Sequence, residues 1–183
     1  MIKLLNWVFG PIRVRLGSIV ELKRGKRVVR GQLATDDLYP VYQNSMVPLG
    51  FYNKANRQKG TTFVICAGAA GEIGYSDMDF WAADDVFTLE NSDNMVPKFI
   101  YYTLLNKQDR IKSQVRRASI PRLSRTVLEN LVFTLPSIEK QKYLVSVLDN
   151  FDKLTSDLSQ GLPKEIGLRQ KQYEYFRDKL LTF

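Results

Sequence analysis

Short apolar runs separated by glycines dominate the first two thirds of the chain. Residues 20–23, 41–43, 62–66, 73–75 and 86–89 read as strands, punctuated by Gly25, Gly50, Gly60, Gly68 and Gly71. One stretch breaks that pattern. Pro97 suits a first helical turn, where its missing N–H costs nothing, and Phe99, Ile100, Leu104, Leu105 and Ile111 follow at near-helical spacing. A helix is therefore predicted over residues 97–113. A shorter one is expected over 125–130 with Ser124 as its N-cap, and LVFTLP then reads as a last strand ending at Pro136. The expected fold class is α+β, with a mostly antiparallel, strongly curved sheet.

After Pro136 the period changes. Ser137 is placed to cap a helix in which Leu144, Leu148, Phe151, Leu154 and Leu158 recur every three or four residues, and Ile166, Tyr173, Phe176 and Leu180 resume the stripe. Gly161 and Pro163 must interrupt the run, so two helical pieces are expected, the second starting at Pro163. Laid end to end they would reach about 65 Å. A narrow seam with little else to cover it points to another helix, which makes Leu144, Leu148, Phe151, Leu158, Tyr173 and Phe176 candidate dimerisation residues. The expected division is a sheet domain over residues 1–136 and a helical spacer over 137–183.

Charge separates the same two parts. The net charge is +8; residues 1–136 hold 19 basic and 12 acidic side chains (+7), and residues 137–183 hold 8 and 7 (+1). Within the first part the cations gather twice, at Arg13, Arg15, Lys23, Arg24, Lys26, Arg27 and Arg30, and at Lys107, Arg110, Lys112, Arg116, Arg117, Arg122 and Arg125. If the fold joins the clusters, a polyanion is the natural partner; the competing reading is a solvated basic face.

Catalytic parts are missing from the sequence. There is no histidine to act as general base, and one cysteine, Cys66, cannot build a structural zinc site or an internal disulfide; in TTFVICAGAA it reads as a small buried side chain. Asp84 and Asp85 are expected to shape a turn or meet a basic neighbour, although a carboxylate site for a hard metal is an alternative. GAAG at residues 68–71 lacks the Gly-Lys-Ser/Thr ending of a phosphate loop and precedes an extended segment, so a strand-to-strand turn is expected. Neither Asn-Pro-Pro-Tyr nor Asp-Pro-Pro-Tyr, the base-gripping tetrapeptides of adenine methyltransferases, is present. The opening MIKLLNWVFGP has a signal-like apolar stretch, but Asn6, Pro11 and the lack of a small-residue cleavage site argue against export. No apolar run approaches a membrane span, and a cytoplasmic location is expected.

Five segments carry a resemblance: ELKRGKR (21–27), FWAADDVFTLE (80–90), ASIPRLS (118–124), LPSIEKQKYLVSVLDNFDKL (135–154) and GLPKEIGLRQKQYEYFRDKLL (161–181). In this order they are similar to type I restriction-modification specificity subunits, and the resemblance they mark extends over almost everything from Arg13 onward. The resemblance implies one target-recognition domain and one conserved helical region, half of what a full-length subunit carries. It implies no catalysis by this chain. The implied partners are double-stranded DNA, methyltransferase subunits that use S-adenosylmethionine to modify adenine, a restriction subunit in some systems, and a second copy or another half subunit paired through the helices. A methylation-only system, or a silent module that assembles without reading DNA, are the alternatives.

Reading DNA requires donors for phosphates and planar or amide groups for base edges. The polar stretch YQNSMVPLGFYNKANRQKGT holds Gln43, Asn44, Asn53, Lys54, Asn56, Arg57 and Gln58 interleaved with Tyr42, Phe51 and Tyr52; the aromatics either join the surface or anchor the loop. Gln43, Asn44, Lys54 and Arg57 are taken as candidate DNA contacts, with Lys26, Arg27, Arg116 and Arg117. The resemblance puts ASIPRLS near the DNA-facing side, and Arg122, directed by Pro121, is assigned a phosphate clamp, against a competing ion pair with Asp84 or Asp85.

Overall fold

A computed structural model of the chain describes residues 2–34, 38–91, 95–159 and 163–182. The elements in order are α1 (Ile2–Phe9), β1 (Ile12–Arg15), β2 (Val20–Arg24), β3 (Tyr39–Tyr42), β4 (Phe51–Tyr52), β5 (Thr61–Ile65), β6 (Ile73–Ser76), β7 (Trp81–Ala82), β8 (Val86–Asn91), α2 (Pro97–Asn106), α3 (Gln108–Ser113), α4 (Arg125–Glu129), β9 (Val132–Leu135), α5 (Ile138–Ser159) and α6 (Pro163–Leu181). They fall into two compact units. A sheet unit spans Val14–Phe133, and a helical unit combines Met1–Arg13 with Thr134–Phe183. The sequence-based division assigned the first residues to the sheet domain, whereas here they group with the helices.

In the sheet unit, β2-β8-β5-β6 form a four-stranded sheet with all three pairings antiparallel. A smaller sheet runs β4-β3-β7, antiparallel at β3–β4 and parallel at β3–β7. The fold class is α+β, as expected. Apolar side chains on β5 and β8 face a core in which Phe63, Ile65, Phe80, Ala82 and Val86 are fully buried. Tyr42 anchors there too: its ring lies 4.7 Å from Phe63 and 5.7 Å from Phe80, and those two are 5.2 Å apart. Burial raises the Tyr42 phenol above its ordinary value. Tyr42 is thus an anchor rather than surface.

The five sequence-read strands all form, shifted by a residue or two. The helix read over 97–113 divides into α2 and α3 at Lys107, whose N–H turns back to the Leu104 carbonyl at 3.0 Å and whose backbone leaves helical geometry at φ −109°, ψ 11°. Ser124 stands at the N-cap of α4, but its side chain makes no capping bond.

The helical unit corrects the extended spacer. Only three residues separate α5 from α6, yet the Phe151 ring lies 6.0 Å from Phe176 and 6.5 Å from Tyr173. Collinear helices would hold those rings more than about 30 Å apart at 1.5 Å per residue, so α6 folds back along α5. The unit's reach along α5 is about 33 Å, half the end-to-end figure. Ser137 accepts the Lys140 N–H at 3.4 Å and opens α5 as anticipated. No helix among the described residues is long and apolar enough to cross a membrane.

Candidate nucleic-acid interface

Backbone bonds join one end of the sheet unit into a continuous rim. At the end of β2, the Gly25 N–H reaches the Val86 carbonyl at 3.0 Å and the Lys26 N–H reaches Ala82 at 2.9 Å. Glycine is required there: a Cβ on residue 25 would lie 2.1 Å from the Ala83 oxygen and 2.3 Å from that of Ala82. The next links are Cys66 N–H to Asp85 (2.8 Å) and Leu123 N–H to Cys66 (2.9 Å). Arg116 and Arg122 then exchange backbone bonds of 2.9 and 3.1 Å, which close the loop between them.

The β5–β6 connection clamps two loops onto this rim. Gly68 donates to the Pro121 carbonyl at 3.1 Å and Ala69 donates to that of Asn44 at 2.9 Å, so consecutive amides hold the 43–49 loop and the 116–122 loop side by side. Gly68 adopts φ +83°, which an L side chain resists, and a Cβ there would meet Asn44 at 2.7–2.8 Å. Together with Gly71 at φ +90° it makes GAAG the strand-to-strand turn anticipated from sequence. Its clamping role was not anticipated; two glycines spaced by small residues, next to a buried strand, were the only available signal.

The rim brings together members of both basic clusters. The Arg24 guanidinium donates to the Asp84 carbonyl at 2.6 Å. The buried Cys66 thiol lies within the fields of Arg24 and Arg122; burial is the larger influence and pushes the thiol above its ordinary value, while both cations pull it down and Asp85 pushes it up. Lys26, Arg27, Asn44, Arg116, Arg117 and Arg122 are exposed around this end, and Gln43 beside Asn44 is half-buried. Among the described residues the ion pairs of the sheet unit join Lys23 to Glu21 and Glu90, Lys112 to Glu72 and Arg125 to Glu129. None uses Lys26, Arg27, Arg116, Arg117 or Arg122, so the competing pair of Arg122 with Asp84 or Asp85 is not formed. Exposed Lys54 follows Tyr52, whose ring meets Trp81 at 5.0 Å; the Trp81 indole in turn donates to the Lys26 carbonyl at 2.8 Å.

Arg57, another candidate contact, is engaged in hydrogen bonds within the sheet unit. Its Nε donates to Thr88 Oγ1 at 2.6 Å, Nη1 to the Asn56 carbonyl at 2.7 Å and Nη2 to the Arg24 carbonyl at 3.3 Å. Each of its three nitrogens thus has a partner inside the unit, and these bonds occupy three of the five guanidinium N–H donors. Asn56 behaves similarly: its amide donates to the Ala82 carbonyl at 2.9 Å and accepts the Ala82 N–H at 2.8 Å, imitating a strand partner. Among the described residues, no group of three or more carboxylates or thiols stands together as a metal site.

Of the seam residues, Leu144, Leu148 and Tyr173 are buried and Phe151 is half-buried with its ring against α6, so part of the stripe is already covered by this chain. Phe176 stays partly exposed. The side chains of Leu158 and Ile166 lie outside the described residues.

Comparison with known proteins places this geometry. The family model described as "Type I restriction modification DNA specificity domain" matches residues 13–168. The chain is 37% identical over 93 residues to the Escherichia coli type I restriction enzyme EcoR124I/EcoR124II specificity subunit, covering 50% of this chain and 23% of that one. It is 27% identical over 171 residues to the MpnII specificity subunit of Mycoplasma pneumoniae, covering 91% and 51%. It thus spans about half, or less, of these relatives. A crystal structure of a type I restriction-modification S subunit from M. genitalium superposes with TM-score 0.75 at 24% identity, over 82% of this chain and 41% of that one. The HsdS subunit of Thermoanaerobacter tengcongensis gives 0.66 at 15%, over 94% and 45%. At such identities these two likenesses speak for the fold.

Proposed function

The chain belongs to the type I restriction modification DNA specificity family, and from that premise we propose that it reads duplex DNA for a type I restriction-modification assembly. The observation that carries this reading is the convergence of members of two basic clusters, far apart in sequence, on one rim where five exposed cations have no carboxylate partner among the described residues. Free guanidinium and ammonium groups fix a protein on phosphates, while the adjoining amides of Gln43 and Asn44 have the donor and acceptor pair that suits adenine.

In this reading the chain does no chemistry. Methyl transfer to adenine belongs to methyltransferase subunits that bind S-adenosylmethionine, and cleavage to a restriction subunit where one joins. The helical unit provides the means of pairing, supported by Leu154, Leu168 and Tyr175, which remain exposed after α6 has folded back. Two copies related by a twofold axis present identical readers in opposite orientations, so the target is two inverted half-sites around an unread spacer.

Coexpression with the neighbouring methyltransferase gene, followed by mapping of adenine methylation across the host genome, tests the proposal. The expected result is one palindromic, bipartite motif that disappears when this chain is omitted. Methylation indifferent to the chain would overturn the DNA-reading role. A non-palindromic motif, in cells holding only this specificity chain, would overturn the pairing of identical copies.

A further inference from the structure

The loop closed by Arg116 and Arg122 carries an apolar side chain at its tip, and the DNA-reading role does not account for it. Ile120 is 52% exposed, between Arg117 and Arg122. Exposed isoleucines are common and need no explanation by themselves. This one sits on an unusually determined backbone. The loop is closed by the reciprocal Arg116–Arg122 bonds and tied down through Gly68 to Pro121 and Leu123 to Cys66. Pro121 fixes its own φ and restricts Ile120 to extended geometry, and a β-branched side chain has few χ1 rotamers. The side chain is therefore aimed before any partner arrives.

Val47, on the loop held alongside, is more exposed at 74%. The two differ in setting. No charged residue occurs between Asp37 and Lys54, so the segment that carries Val47 supplies no cation of its own, whereas Arg116, Arg117 and Arg122 frame Ile120 in sequence. An apolar point among free guanidinium groups matches the duplex minor groove, whose negative potential draws arginine and whose base steps accept aliphatic wedges.

We propose that the Arg117–Pro121 loop enters the minor groove and that Ile120 wedges between two adjacent base pairs, kinking the site. This rests on the DNA-reading role and adds a deformation to it. The unstacked step favours flexible pyrimidine–purine sequences, so part of the specificity is read as bending cost at a position that no hydrogen bond reaches.

The test uses the coexpressed assembly of the full chain with its methyltransferase and a duplex carrying the mapped site. End-to-end energy transfer between terminal dyes reports the bend, and 2-aminopurine placed at successive positions of the half-site reports unstacking. Wild-type protein is expected to bend the duplex by an additional angle of about 20–90° relative to Ile120→Ala and to unstack one step that stays stacked in that variant. The salt dependence of binding should be unchanged. Any bend contributed by the methyltransferase is common to both proteins and cancels. Equal bending and stacking by wild type and Ile120→Ala would overturn the wedge while leaving DNA reading intact. So would a result in which replacing thymine by uracil reproduces the loss caused by Ile120→Ala without any change in bend, since Ile120 would then touch a thymine methyl in the major groove. An assembly that methylates no specific site would overturn both proposals together.

Discussion

The two units treat their apolar residues differently. In the sheet unit nearly every large apolar residue on a strand is inside, and what remains outside is loop: Val29, Leu38, Met46, Val47, Met78 and Ile120. In the helical unit the buried apolar side chains among the described residues are Leu135, Leu144, Leu148 and Tyr173, while Leu4, Trp7, Val8, Tyr143, Leu154, Leu168, Tyr175 and Phe176 are exposed. One unit has completed its core and turns a polar, cationic rim outward. The other has more apolar surface than its own hairpin covers. Removing a side chain should therefore cost folding energy in the first and alter association in the second.

The largest effect is expected where the sheet core is densest. Phe80→Ala removes a ring packed against both Phe63 and Tyr42 and should lower unfolding stability by about 3–5 kcal/mol, measured by denaturant titration. Gly25→Ala comes next, because its new Cβ would collide with two carbonyl oxygens rather than with a yielding side chain; a loss of about 1–3 kcal/mol is expected. A loss below 1 kcal/mol for Phe80→Ala would break the contrast, since it would mean that the sheet unit tolerates voids.

Arg57 and Arg122 sharpen the comparison within the sheet unit. Arg57→Ala leaves Thr88 and two carbonyls without a donor and should cost about 1–3 kcal/mol, with the salt dependence of DNA binding unaltered. Arg122→Ala should do the reverse. Its side chain is exposed and has no ion-pair partner among the described residues, so stability should move by no more than about 0.5 kcal/mol. The slope of log K against log salt should fall by about 0.9, one phosphate contact. An unchanged slope with unchanged sequence preference would remove Arg122 from the interface.

How much of this was legible in the sequence depends on what each residue binds. Strands with several alternating or apolar residues announced themselves, and so did the two helices after Pro136. The two-residue β4 and β7 did not, because so short an element has no period to detect. The break at Lys107 carries no glycine or proline and arises from a local turn back to Leu104. The internal bonds of Arg57 and Asn56 were not legible, because a polar loop residue gives the same sequence signal whether its donors meet a base or a neighbouring carbonyl. The loop of Arg122 was legible, because Pro121 and the neighbouring arginines mark it. The grouping of residues 1–13 with the helices is a contact across more than a hundred residues, which one-dimensional periodicity does not contain.

The smallest effect on stability is expected on the exposed face of the helical unit, and there the comparison is tested most directly. Leu154, Leu168 and Tyr175 are all more than half exposed, so Leu154→Glu, Leu168→Glu and Tyr175→Glu remove little buried contact and should each change unfolding stability by no more than about 0.5 kcal/mol. If the apolar excess exists to be covered by another chain, the same substitutions place a carboxylate in a desolvated interface and should shift the protein toward monomer. Sedimentation velocity over a concentration series reads that shift, and the sheet unit's near-ultraviolet circular dichroism checks that its core is undisturbed. Leu148→Glu is the control with opposite character: its side chain is fully buried, so the substitution should lower folding stability as well as disperse the assembly. Oligomers that survive all three surface substitutions would show that association does not use this face, and that the unit's exposed apolar residues need another explanation.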